Sequence, residues 1–293
     1  MNDIAIDTIE VRGIRLRRDP AREPCYKVVR LLTEMRSAGI ETPEALREFI
    51  HRDINNEVQS TEIAAQMLVD FPDAPWELRM CLARQCWDET RHAWLYVRRL
   101  KELGGYRGEF PITNSEWGVT CLFKSLPARL AIQNRAFEAG SLDVFYKMAK
   151  AFRDKGDERS AELTEAVLND EIQHVRFANH WIKQMVQANP RALLEIAAAV
   201  DEVNRIMRAM TPQEGEYSID GVALAAVGRP NFDINVPDRA LAAFSGEELE
   251  AMLRKEEERR VWEAEERRKY LEQTRLEAQM RSQELAGAGP SDP

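Results

Sequence analysis

The sequence predicts an all-α protein: a four-helix bundle with an N-terminal arm and a C-terminal helical extension. Three observations carry that expectation. Apolar residues recur at three- and four-residue spacing through residues 45–188. Proline, glycine and asparagine gather where such stretches stop. Two pentapeptides, Asp88-Glu89-Thr90-Arg91-His92 and Asp170-Glu171-Ile172-Gln173-His174, both read Asp-Glu-x-x-His in a chain with 4 histidines.

The 293 residues suffice for one sizeable core with appendages. A hydrophobic content of 44% beside 31% charged residues fits a soluble globular protein with a strongly charged segment. The net charge of −9 argues against a general nucleic-acid binder, which needs basic surface to neutralise phosphates. Cys25, Cys81, Cys86 and Cys121 form no CxxC pair, so free thiols in a reducing compartment are expected. No apolar run approaches the ~20 residues that span a bilayer. The N-terminus has early acidic residues and no signal-peptide core. These features predict a cytoplasmic protein without a membrane partner.

Residues 1–44 read as an arm followed by a short helix. Ile4, Ile6, Ile9, Val11 and Ile14 suggest a strand or hairpin, and Pro20 and Pro24 end it. A helix is expected over residues 26–37, closed by Gly39. Thr42-Pro43-Glu44 is an N-cap with proline at the first helical position, and it opens a long helix to about Asp70. The inward stripe of that helix is Ile50, Ile54, Glu57, Thr61, Ala64, Leu68 and Phe71, with Glu62 on a neighbouring stripe.

Phe71-Pro72-Asp73-Ala74-Pro75 turns into a second helix, Trp76 to Leu103, stopped by Gly104-Gly105. Its stripe is Leu78, Leu82, Gln85, Glu89, His92, Tyr96 and Leu100. A long crossover, residues 106–124, leads to a third helix over 127–154 with Glu138 on its inner face. Lys155-Gly156-Asp157 then turns into a fourth helix ending near Ala188, with Glu171 and His174 mid-stripe. Residues 189–243 read as one more helix and a wrapping loop. Residues 244–293 read as a charged, mostly solvated helix and an unstructured tail.

On a helix, residues three apart share a face, so each Asp-Glu-x-x-His aims one carboxylate and one imidazole at one point. Each also has a glutamate at matching depth on the preceding helix: Glu57 for Glu89, 32 residues on, and Glu138 for Glu171, 33 residues on. Four glutamates and two histidines inside one bundle cannot be buried without counter-charge. A pair of metal ions is the natural compensation. Donors that are mostly carboxylate, with one imidazole per ion, suit iron or manganese rather than structural zinc. Cys81 and Cys86 are expected to be packing residues.

Four helices carrying Glu and then Glu-x-x-His, twice, resemble the ferritin-like di-iron carboxylate superfamily. The resemblance covers about residues 45–188, and Asp88 to His92 matches the DExRH form of bacterial multicomponent monooxygenases and their relatives. It implies that Glu89 and Glu171 bridge two metals, with His92 and Glu57 on one and His174 and Glu138 on the other. It also implies that Asp88 and Asp170 accept from the ligand imidazoles, with Arg91 paired to one of them. Glu62 stays open as an extra ligand, a proton relay, a surface carboxylate or a replacement for Glu57.

Two ferrous ions in such a site supply electrons to O2. The expected function is therefore that of an O2-activating di-iron, or iron/manganese, oxygenase or oxidase acting on a small organic substrate. Gln85, Trp87, Tyr96, Phe145 and Tyr146 are candidates to line its pocket. An electron donor such as a reductase or ferredoxin, and a second copy in a homodimer, are partners compatible with it. The alternatives are a ferroxidase or iron-handling protein and a non-enzymatic, metal-stabilised interaction module.

Overall fold

A computed structural model describes residues 4–31, 34, 39–210, 218–219, 222–223 and 233–287. The fold is all-α, with short two-stranded pieces beside the helices in sequence. Residues 1–211 with 232–245 form one compact unit, and residues 212–231 with 246–293 form a second.

In the first unit, β1 (Thr8–Val11) and β2 (Ile14–Arg17) make an antiparallel hairpin. β3 (Val28–Val29) pairs in parallel with β4 (Ile112–Thr113). That pairing corrects the helix expected over residues 26–37: residues 26–31 are not helical, and 32–33 and 35–38 lie outside the described residues. The apolar run there pairs with a strand far along the chain, a contact that local periodicity cannot register.

α1 (Pro43–Asp70) starts where expected, with the Thr42 side chain accepting from the Ala45 N–H. α2 (Trp76–Glu102) returns antiparallel to it after the proline-rich turn. The crossover contains a short helix, α3 (Ser115–Thr120), as well as β4. The third bundle arm is not one helix. α4 (Leu126–Ile132) passes into a π-helix (Gln133–Glu138) and then into α5 (Ala139–Asp154). α6 (Glu158–Ala188) is capped by Asp157, which accepts from the Ser160 N–H and is gripped by Arg99.

Two apolar masses flank the middle of the bundle. One gathers Ile63, Met67, Leu78, Leu82, Leu130 and Ile182 around the α1–α2 turn. At the other end Phe49 meets Phe152 edge-on, ring centroids 5.9 Å apart. Between them the helices bury polar side chains. α7 (Arg191–Met210) packs with the β1–β2 hairpin in a separate cluster of Ile14, Leu16, Val119, Ile132, Ala199, Ile206 and Met210. α8 (Val236–Leu241) docks through Arg239, paired to Asp143 at 2.7 Å, and Asn235, whose N–H donates to Asp143 at 2.8 Å.

The second unit contains a short antiparallel pair, β5 (Ser218–Ile219) and β6 (Val222–Ala223), and the long helix α9 (Gly246–Gly287). Leu253, Val261 and Trp262 are exposed on α9, as its charge-rich sequence leads one to expect. Most of the expected wrapping loop, residues 211–217, 220–221 and 224–232, and the tail 288–293 lie outside the described residues. No helix among the described residues is long and apolar enough to cross a membrane.

Candidate metal centre

The buried polar layer is built from one side chain or one Glu-x-x-His pair per bundle arm. α1 contributes Glu57, α2 Glu89 and His92, the end of the π-helix Glu138, and α6 Glu171 and His174. All six are at most 4% exposed. They form two overlapping sets, Glu57–Glu89–His92–Glu171 and Glu89–Glu138–Glu171–His174. Within each set the potential ligand atoms lie within 4.8 Å of one another. Glu89 and Glu171 belong to both. The structure thus brings together the six residues expected from the repeated pattern, and either set could hold a metal ion.

Each imidazole turns Nδ1 inward. His92 Nδ1 is 3.2 Å from both Glu57 and Glu89 and 3.3 Å from Glu171. His174 Nδ1 is 3.1 Å from Glu171, 3.4 Å from Glu89 and 3.7 Å from Glu138. The outward nitrogens meet the two aspartates crosswise. His92 Nε2 lies 3.1 Å from Asp170 of α6, and His174 Nε2 lies 3.5 Å from Asp88 of α2. An acidic partner behind Nε2 orients each ring with Nδ1 toward the carboxylates, where that nitrogen can give up its proton to a cation. Arg91 joins both aspartates, donating to Asp88 at 3.3 Å and to Asp170. Arg84 holds Asp88 at 2.7 Å.

Glu62 is not in the cluster. Both its oxygens accept from Arg22 of the N-terminal arm, at 2.7 Å each. It pins the arm to α1, so Glu57 is the α1 carboxylate of the site. Among the expected pocket residues, Gln85, Tyr96 and Phe145 are buried, whereas Trp87 and Tyr146 are 65% and 59% exposed and face outward. Cys81 and Cys86 are partly buried thiols, and Cys86 packs on the apolar core. The remaining histidines lie apart from the cluster: His51 accepts from the Gly108 N–H, and His180 contacts Gln184.

A buried set of amides also reaches the site. Gln85 Nε2 donates to Glu89 and to Glu138, at 3.0 Å each. Gln133 Nε2 donates to the same Glu138 oxygen at 2.9 Å and to Ser60 at 3.1 Å. Asn134 donates to Gln85 at 3.0 Å. The π-turn makes this possible. In an α-helix, residues five apart point about 140° away from each other. The i→i+5 winding stacks them, so Gln133 and Glu138 share one inward face. Sequence periodicity placed Gln85 on the inner stripe but missed Gln133 and Asn134, for which the only cue was a Gln-Asn pair interrupting the apolar run Leu130-Ala131-Ile132. Glu116 of α3 was missed too. Burial, and then the charges of Glu89, Asp53 and Glu171, raise it to about 8.

The electrostatics show what the site needs. Burial drives Glu57 and Glu138 well above the usual carboxylate range. Burial pushes Glu89 and Glu171 the same way, but the imidazoles outweigh it and hold both low. Burial disfavours the charged imidazoles, yet His92 and His174 are raised, His92 by hydrogen bonds to Glu171, Glu57 and Glu89 and His174 by the Glu89 and Glu171 charges. Raised proton affinity at Glu57, Glu138, His92 and His174 is thus how the metal-free cluster offsets its carboxylate charge. Two divalent cations balance the same charge and satisfy the same oxygen and nitrogen donors without protons. The donor chemistry fits a pair of hard or borderline cations.

Residues 5–217, well over half the chain, match the family described as "Protein of unknown function (DUF455)". The chain belongs to the DUF455 family. All six cluster residues fall inside the DUF455 match, as do Asp88, Asp170 and the three amides. No curated protein matches the sequence.

Proposed function

We propose that the chain is a ferritin-like di-iron protein, with manganese an alternative at either position, that uses O2 to oxidise a small organic molecule. The observation that carries the reading is the sharing of Glu89 and Glu171 between two donor sets of three carboxylates and one imidazole. Shared carboxylates are what a pair of adjacent ions requires, and a single structural ion would not use them. When bound, two ferrous ions supply electrons to O2.

The protein's own groups set the stage for that chemistry. Glu57 and Glu138 would each hold one ion, and Glu89 and Glu171, common to both sets, would help to hold either. Asp170 and Asp88 keep each imidazole oriented with its Nδ1 inward. The amides of Gln85 and Gln133 hold one Glu138 oxygen, so the other is offered toward His174. The apolar masses on either side exclude bulk water, which strengthens every charge interaction inside. An electron donor and a small substrate complete the reading as partners.

The test begins with metal analysis of protein loaded with ferrous iron. Two ions per chain are expected, falling in Glu89→Ala and His174→Ala. O2 uptake by the ferrous protein is then followed with an electrode. Equal metal content in the alanine variants and the unmodified protein refutes the site. Metal binding without O2 uptake keeps the centre and removes the oxidative function. Iron accumulating far beyond two ions per chain turns the reading to iron handling.

A further inference from the structure

Helix α2 buries its Glu-x-x-His face and exposes a row of tryptophans on the opposite one. Trp76, Trp87 and Trp94 are 67%, 65% and 63% exposed, and Met80 is 43% exposed. At about 100° per residue the four fall within about 40° of arc, along about 27 Å of helix. At roughly 150–250 Å² per aromatic side chain, the indoles alone leave on the order of 300–500 Å² open. A row of that extent matches the largest apolar patch of a typical monomer, the kind of patch that is often functional. Arg84, Arg91 and Arg98 lie along the same row.

We propose that this row is the two-fold interface of a homodimer, with α2 packed antiparallel on α2 of a second copy about Trp87. Such an axis sets residues equally far before and after Trp87 opposite each other. Trp94 then faces the partner's Met80, and Arg98 faces the partner's Trp76, a cation–π pair. Arg91 faces the partner's Ala83, and Arg84 faces the partner's Thr90. Every arginine meets an indole, a methyl or a hydroxyl, and none meets another arginine. An axis one turn further along, at Arg91, would set Arg91 against itself and Arg84 against Arg98, with like-charge repulsion at the centre. The chemistry of the row is therefore palindromic about Trp87.

Two copies bring on the order of 600–1,000 Å² from the indoles, a large part of the roughly 1,200–2,000 Å² of a specific interface. The same face carries the outer side of Arg91, 39% exposed, whose inner side holds Asp88 and Asp170. Dimerisation covers that arginine and shields the aspartates behind the two imidazoles from water. The interface itself does not depend on which metals the site holds or what it oxidises.

Sedimentation velocity on the full chain at micromolar concentration tests the proposal. Twice the chain mass of 33.7 kDa is expected. Met80→Glu and Trp94→Arg, each alone, should weaken association by at least about 10-fold. The Met80→Glu/Trp94→Arg double variant should recover most of it, because the two new charges face each other across the axis. A merely misfolded single variant would not be rescued this way, and far-UV circular dichroism monitors folding directly. An unmodified chain that stays monomeric, or single variants as dimeric as the unmodified protein, overturns the interface. Single variants that dissociate without rescue in the double overturn the antiparallel register. A monomer that instead binds an acidic protein or single-stranded nucleic acid through this face overturns the choice of partner.

Discussion

Replacing Gln85 by leucine tests whether the buried amides set the affinity of the second donor set. Gln85 donates to Glu89 and Glu138 at 3.0 Å each and accepts from Asn134 at 3.0 Å. Leucine keeps much of the volume and removes all three bonds. Glu138 must be ionised to bind a cation, but burial favours its neutral form. Losing a donor therefore costs the metal-bound state more than the metal-free one. A buried hydrogen bond to a charged group is worth about 1.5–3 kcal/mol, and Glu138 retains Gln133 at 2.9 Å. The expected loss of affinity in the weaker of two binding steps is thus roughly 10–100-fold, the range for groups that support a ligand. Competitive titration with Mn²⁺ against a chelating fluorophore, fitted to two sites, measures it. Gln133→Leu should act in the same direction while leaving both Gln85 contacts intact. Affinities within about twofold of the unmodified protein at both sites would refute the reasoning.

Three further outcomes are expected. Loading two divalent ions near neutral pH should release up to about four protons, from His92, His174, Glu57 and Glu138, whose proton affinities are all raised without metal; affinity then rises with pH, and calorimetry in buffers of different ionisation enthalpy counts the protons. Glu62→Gln should leave metal stoichiometry unchanged and cost about 1 kcal/mol of stability in chemical denaturation, because its partner is Arg22 and not a metal. Asp53 is buried and raised to about 7, chiefly by burial. Its folded form holds a proton that the unfolded chain has lost, so it lowers stability as pH rises from about 4 to 7. Asp53→Asn should therefore raise the melting temperature at pH 8 by more than at pH 5, with an upper bound near 4 kcal/mol at the higher pH.

The bundle and its six inward residues were legible because both obey one period. A 3.6-residue repeat places Glu89 with His92 and Glu171 with His174, and the Thr42-Pro43 start and the Phe71–Pro75 turn set the depth of Glu57. The choice between Glu57 and Glu62 was not legible. It depends on Arg22, 40 residues earlier, which occupies the second carboxylate from outside the helix. The π-turn was hidden for a related reason. One extra residue per turn leaves composition unchanged and alters only which side chains share a face, so Gln133 and Glu138 look like residues on different sides. Trp87 was misplaced in the opposite sense. It was read as near the site in helix phase, yet it precedes Glu89 by two residues, about 200° round the helix, and so faces away from the site.

The crosswise pairing of aspartate and histidine explains why the pentapeptide occurs twice in the same order. Within one copy, Asp88 and His92 lie four residues apart, but His92 turns Nε2 to Asp170 and Asp88 lies behind His174. Each copy is half of a device. Its glutamate and histidine face inward, and its aspartate finishes the imidazole of the other helix. Arg99 of α2 reaches Asp157 and Ser160 of α6, so residues later in one helix meet residues earlier in the other, as antiparallel packing demands. That arrangement brings Asp88 to His174 and Asp170 to His92 at once, and a slip of one turn would break both contacts together. The halves are not equivalent. Asp88 is nearly sealed and held by Arg84 and Arg91, whereas the Asp170 side chain is 23% exposed and meets Arg91. Gln173, the counterpart of Arg91, is exposed on α6. One arginine therefore links both imidazole supports from the α2 side, and the His92 half, with its acceptor nearer water, is the more adjustable of the two.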